Sequence, residues 1–435
     1  MRAATAVTIA AGAAIALAAW AASLPGPAPA QPVRTAAPVN RDYLQRNAVV
    51  AFEERELRRN PRDQITSRML AAQYLQRFRE QGDPADVLRA QAMARRSLQL
   101  QPQGNTAAQS ALASALLAVH DFRGAIVHER AAIESEAFDQ PAHAQLASLL
   151  METGRYDESA RILALRPATP ENPAWDAVEA RYQELTGHLR GARITILRAG
   201  QTMDSFQFAG AYDRSWYHVR SGQLAFEAGD FAAAEREYRR ALELFPYNTT
   251  ALLWEAKLFR AQRRWREALT AAARSADLYP LPQALGYEAD AQRALGLASQ
   301  ARQTDELIRA EQKLFNASGI NDRLLATYFV QRRIHLDDAL RAARSDYLRR
   351  GDEIYADDTM AWTLAALGRW TSARAYSLRA VRLGTEDPQI EFHAGEIALH
   401  LGLRAEARSR LQRALQLNPR FDPIDAPRAA ADLRR

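Results

Sequence analysis

The chain has 435 residues, with 57 basic and 51 acidic side chains, a formal charge of +6 and no cysteine. The missing cysteines exclude disulfides, thiolate metal sites, a cysteine nucleophile and a lipidated cysteine. The basic excess is thin and both signs are interspersed, as on solvated helix faces with i,i+4 partners, whereas a nucleic-acid binder clusters its basic residues in a stripe. Alanine, leucine, arginine and glutamate dominate, and these residues lose little side-chain freedom in a helix, so an all-α fold is expected. Lysine occurs only at Lys257 and Lys313. That preference for arginine points to a GC-rich bacterial source.

Arg2 precedes a small and apolar run from Ala3 to Leu24, followed by Pro25, Pro27 and Pro29. Ala28-Pro29-Ala30 before Gln31 has the small-x-small form of a signal-peptidase site, so residues 1–30 are expected to direct export. The competing outcome is an uncleaved inner-membrane anchor, because the apolar run is about long enough to cross a bilayer. Residues 31–65 then form a linker and an N-terminal capping helix, with Asn40 as N-cap and the helix ending near Arg59, before Pro61.

From residue 66 onward one pattern recurs. Gly222 to Pro246 contains a helix closing at Gly229, which takes positive φ without penalty, and a second helix stopped by Pro246, which has no amide hydrogen. A step of 34 residues converts Phe231 to Trp265, Ala234 to Ala268 and Pro246 to Pro280. The same step links Phe122 to Tyr156, Ala113 to Ala147, Gly368 to Gly402, Ala373 to Ala407 and Ala380 to Ala414. Small residues at fixed positions let paired helices approach closely. Phe231 and Trp265 are expected to be buried between neighbouring pairs. One pair cannot bury its apolar face alone, but stacked pairs share a continuous core.

This pattern resembles the tetratricopeptide repeat over nearly the whole chain from Thr66 to Asp422. The resemblance implies a right-handed α-solenoid of about ten helix pairs, beginning near residues 66, 106, 140, 173, 215, 249, 282, 320, 354 and 388. Repeats one to four would occupy 66–206 and repeats five to ten 215–421. Residues 207–214 form an inter-array connector, read as a hinge with Phe208 and Tyr212 packed inward or as a binding loop. Asn316 to Gly319 add a short spacer, and residues 422–435 form a C-terminal cap, helical over Ala426–Leu433. Three units depart from the pattern. The first has a longer turn at Gln81–Pro84, the fourth has Leu189 at the aromatic position, and the eighth has Leu336 there and no turn glycine.

In this family the first helix of each pair lines the concave face, which implies a partner-binding row of Arg220, Gln223, Trp254, Lys257, Arg260, Tyr287, Asp290, Arg293, Tyr328, Trp362 and His393, with Glu227 and His400 beside it. Cationic and aromatic groups in one row suit an extended peptide or protein segment. The alternative is that Trp254 and Trp362 are partly core and the charges merely solvate the face. The lysine–asparagine clamp by which some family members hold acidic C-termini is not reproduced, so that ligand is not carried over. None of the eight histidines forms a His-Glu-x-x-His motif, and no glycine-rich phosphate cradle is present. His393 and His400 lie two helical turns apart, a spacing more typical of groove histidines than of a metal site. Asp357-Asp358 reads as an N-cap before Thr359.

No catalytic residue, metal or cofactor is therefore expected, nor any nucleic-acid partner. The expected role is an exported, periplasmic or extracytoplasmic scaffold that binds protein or peptide partners. The alternatives are a rigid spacer in an envelope assembly, touching the membrane only through an uncleaved N-terminal segment, and, more remotely, a metal-dependent enzyme.

Overall fold

The computed structural model describes residues 41–166, 172–207, 209–318 and 323–434. The expected export segment, Asn40, Phe208 and Gly319 lie outside them. Among the described residues there are 22 helices and no strand. In chain order they are α1 (Arg41–Arg59), α2 (Gln64–Gln81), α3 (Pro84–Leu100), α4 (Thr106–Ala118), α5 (Phe122–Ser135), α6 (Gln140–Met151), α7 (Tyr156–Leu163) and α8 (Pro173–Leu185). There follow α9 (Leu189–Ser205), α10 (Ala211–Glu227), α11 (Phe231–Leu244), α12 (Thr249–Ala261), α13 (Trp265–Leu278), α14 (Pro282–Ala294) and α15 (Ala298–Ser318). The last seven are α16 (Arg323–Arg332), α17 (Leu336–Arg350), α18 (Ile354–Ala366), α19 (Trp370–Ala380), α20 (Pro388–His400), α21 (Arg404–Leu417) and α22 (Asp425–Asp432). The even-numbered helices from α2 to α20 are the first helices of ten consecutive pairs, the arrangement of an α-solenoid, with α1 and α22 flanking them.

The pairs form because local signals and packing agree. Asp121, Asn172, Asp230 and Asn248 cap helices through their side-chain oxygens, satisfying amides that have no intrahelical partner. Ala234, Ala268, Ala373 and Ala407 are buried at the helix contacts. Gly222 allows a close approach: a Cβ there would lie 2.7 Å from Cδ1 of the fully buried Tyr238. Phe231 is buried as expected, whereas Trp265 is only half-buried and packs on the rim of the same cluster. In the turn of every pair but the eighth one residue is left-handed. It is glycine at Gly82, Gly154, Gly187, Gly229, Gly296, Gly368 and Gly402, but His120 and Arg263 in the second and sixth. The glycine-free eighth turn uses two such residues, Arg333 and His335.

The chain divides into two compact units, residues 1–143 with 312–320, and residues 144–311 with 321–435. In the first unit, α1 to α5 pack in order around Val50, Leu57, Leu70, Tyr74 and Val87. Among the described residues of the connector, Ala211 begins α10, and the Tyr212 ring meets Phe245 edge-on at 5.5 Å. Asn316 to Ser318 continue α15 instead of leaving it.

The second unit closes on itself. Turns near its beginning meet the loops that follow its last three pairs. Tyr156 Oη accepts from the Ile354 amide at 3.0 Å, and Thr385 Oγ1 donates to the Leu185 carbonyl at 2.5 Å. Asn418 Nδ2 donates to the Phe226 carbonyl at 2.7 Å. Arg350 pairs with Glu152 across the same seam. Asn418 and Thr385 are buried. Six first helices of these pairs line a partly open lumen.

Candidate functional site

The lumen has a volume of about 300 Å³ and is lined by six first helices, α8, α10, α12, α16, α18 and α20, together with Phe421. Its walls carry Phe226, Trp254, Tyr355 and Trp362 between charged groups. This volume lies at the low end of small-ligand pockets and is far too small for a folded partner.

Most of the arginines are already committed. Arg181 pairs with Glu184 at 2.8 Å and Arg220 with the same carboxylate at 2.6 Å. Burial opposes ionisation of Glu184, but the two guanidiniums hold it below the ordinary carboxylate range. Arg220 also donates to Gln223. Arg323 pairs with Glu353 at 3.0 Å, and Glu353 caps α18 by accepting from the Ala356 amide at 2.9 Å. His393 donates from Nδ1 to Asp358, 2.9 Å from Oδ2, and stacks on Trp362 with centroids 4.2 Å apart. Burial alone would lower its pKa, but Asp358 raises it.

The remaining charges are not neutralised by contact. Lys257 rests its ammonium over Trp254, 4.1 Å from the centroid, and over Phe226 at 4.9 Å. Glu227 has no hydrogen bond or ion pair among the described residues, and burial, then Glu184 and Asp387, push its carboxyl well above the ordinary range. Asp387 accepts from the Gln389 and Ile390 amides at 2.7 and 3.2 Å, capping α20. Burial raises it too, against the pull of Lys257 and those amides. Thr363 Oγ1 is buried without a partner.

Of the expected row, the structure brings Arg220, Trp254, Lys257, Trp362 and His393 to the lumen, with Gln223 buried behind Arg220. Arg260, Tyr287, Asp290, Arg293 and Tyr328 gather in a second cluster that consumes its own charges. Asp290 accepts from Arg260 at 2.8 Å, from Arg332 at 2.7 Å and from Arg293 at 3.4 Å. Arg260, 4 % exposed, lies over the Tyr287 ring at 4.3 Å, and Arg332 lies over Tyr328 at 4.1 Å. Arg293 is further held by Asp305 at 2.5 Å. This cluster locks α12, α14 and α16 together.

Two expectations are corrected. Asp357 and Asp358 do not cap a helix: Glu353 does, and both aspartates lie inside α18. Asp357 is fully buried between Arg379 and Arg382, while Asp358 faces the lumen. His400 does not join the row but stacks on Trp370 with centroids 3.8 Å apart. The sequence reading missed Arg181, Glu184, Arg323, Tyr355 and Asp387. Extending the same helical face to α8 and α18 would have found Arg181, Glu184 and Tyr355. No three described His, Cys, Asp or Glu residues form a cluster able to hold a metal ion, and no described helix is long and apolar enough to cross a membrane.

A family model for the tetratricopeptide repeat matches residues 217–248, which span most of α10 and all of α11. The crystal structure of yeast Tom70 matches with a TM-score of 0.34 and 13 % identity, over 90 % of this chain and 93 % of that one. No curated protein matches the chain.

Proposed function

The chain is a tetratricopeptide-repeat protein, and from that premise we propose that it is an interaction scaffold whose second unit holds a short segment of a peptide or protein partner in its lumen. One observation carries this reading: six first helices aim aromatic walls and uncompensated polar groups into one lumen. Buried polar groups without partners cost free energy, and a ligand that completes them recovers it. Trp254, Trp362 and Phe226 supply the apolar anchors. The small volume means that a chain end or a single loop tip enters, rather than a long segment laid across many repeats. Export completes the proposal: residues 1–30 act as a cleaved signal, and the scaffold works outside the cytoplasm.

Selection from a library of displayed random peptides tests the scaffold. Selected peptides should bind the wild-type protein and lose at least tenfold in affinity to a Trp254→Ala variant with unchanged helical circular dichroism. Equal binding to that variant would remove the lumen from the proposal. N-terminal sequencing of protein from the envelope fraction should read from Gln31, and a retained Met1 would refute cleavage.

A further inference from the structure

The lumen holds an imbalance that the scaffold reading leaves unexplained. Arg181 and Arg220 are taken up by Glu184, Arg323 by Glu353, and His393 by Asp358. Glu227 and Asp387 have no such cation in contact; Lys257 faces both from over its two aromatic rings without pairing with either. One cation thus stands against two carboxylates in the lumen. Burial, then Glu184 and Asp387, raise the Glu227 carboxyl above its ordinary range. The hydroxyl of Thr363, 0 % exposed and unpartnered, lines the same space as a further acceptor. An added cation with several N–H donors would give Glu227 and Thr363 partners and Asp387 a counter-charge beyond its two backbone amides, and the aromatic faces nearby favour it.

We propose that the lumen is a receptor for a primary ammonium group, supplied by the free amino terminus of a peptide or by a lysine side chain, with Glu227 as its principal counter-charge and Asp387 and Thr363 as supporting acceptors. This rests on the lumen being the binding site of the scaffold. An ammonium presents three donors on a compact, pyramidal head, which suits convergent acceptors in a small space better than a planar guanidinium does. An ammonium beside Glu227 would favour its ionised form. The charged and titratable groups facing Glu227 are Glu184, Asp387, Arg220, Lys257, Tyr238 and Tyr355, and of these Asp387 shares the ligand.

Calorimetry with three short peptides tests this. Ala-Phe-Ala-amide offers a free amino terminus, acetyl-Ala-Lys-Ala-amide offers only a lysine, and acetyl-Ala-Phe-Ala-amide offers neither. At least one of the first two should bind the full chain at least tenfold more tightly than the third, and which one binds identifies the ammonium's source. Glu227→Gln should keep its melting temperature or raise it, while losing the discrimination. Equal binding of the doubly blocked peptide overturns the ammonium receptor, as does undiminished binding by Glu227→Gln. If the blocked peptide still fails on the Trp254→Ala variant, the scaffold reading survives that loss. If none of the three binds, and no displayed peptide is selected, both readings fall.

Discussion

The closure of the second unit can be tested by placing one methyl group at the seam and the same methyl group away from it. Gly187 (φ +75°) and Gly402 (φ +75°) occupy the same position in the turns of their pairs. Alanine at either carries the left-handed penalty of about 1–2 kcal/mol. At Gly402 nothing lies within 4 Å of the new Cβ, so the penalty ends there. At Gly187 the Cβ would run into the Gly384 carbonyl oxygen, and its carbon would be 3.0 Å away. Both are backbone atoms and cannot swing aside. Relief requires parting a seam that also holds the bonds from Thr385 to the Leu185 carbonyl and from the Leu189 amide to Glu386, at 2.5 and 3.2 Å. Overpacking of this kind adds about 1–3 kcal/mol. Gly187→Ala should therefore lose about 2–5 kcal/mol and Gly402→Ala about 1–2 kcal/mol in urea titrations followed by far-UV circular dichroism. Peptide binding in the lumen should weaken only in the first. Equal losses would refute the closure, and with it the lumen.

Other consequences are simpler. Arg263 holds a left-handed conformation (φ 58°) while exposed, so Arg263→Gly should stabilise by about 0.5–1 kcal/mol, read from the urea midpoint; a loss would contradict the turn geometry. Trp265→Ala should cost about 2 kcal/mol, below the 3–5 kcal/mol of a fully buried aromatic, because the ring sits on the rim of its cluster. Glu129 is fully buried and is pushed up to about 7 by that burial, with Ser110 opposing and Asp139 adding. Its folded pKa exceeds its unfolded one, so its contribution is present below about pH 4.5 and declines as pH rises through about 7. Glu129→Gln should match the wild type at pH 4 and exceed it by about 3 kcal/mol at pH 8, by equilibrium unfolding at both pH values. Equal stability at pH 8 would show that Glu129 is not desolvated.

The helix pairs were legible because their signals are local. Gly229, Asp230 and Phe231 mark a turn, a cap and a packing aromatic within three residues, and Ala234 and Ala241 lie where the helices of a pair must touch. The starts expected at 106, 140, 173, 249, 282, 354 and 388 coincide with α4, α6, α8, α12, α14, α18 and α20. The face of the site was half-legible. Arg220, Trp254, Lys257, Trp362 and His393 share a helical register that the repeat supplies. Arg260, Asp290 and Tyr328 share it too, yet they neutralise one another through Arg332, whose reach across α14 no spacing announces.

What the chain determines by itself is the unit: where each helix begins, which stripe is apolar and where the turn needs positive φ, since all are set by contacts within about forty residues. What only the tertiary structure decides is how far the array curves and which charges are left over. Gly187 meeting Gly384, or Asn418 reaching the Phe226 carbonyl, joins residues nearly two hundred positions apart. Small angles between successive pairs accumulate to bring them together, and no single pair encodes their sum. The pairing of Glu184 and the isolation of Glu227 follow from that closure, because a carboxylate's partners are fixed by distance in space and not by position in the repeat.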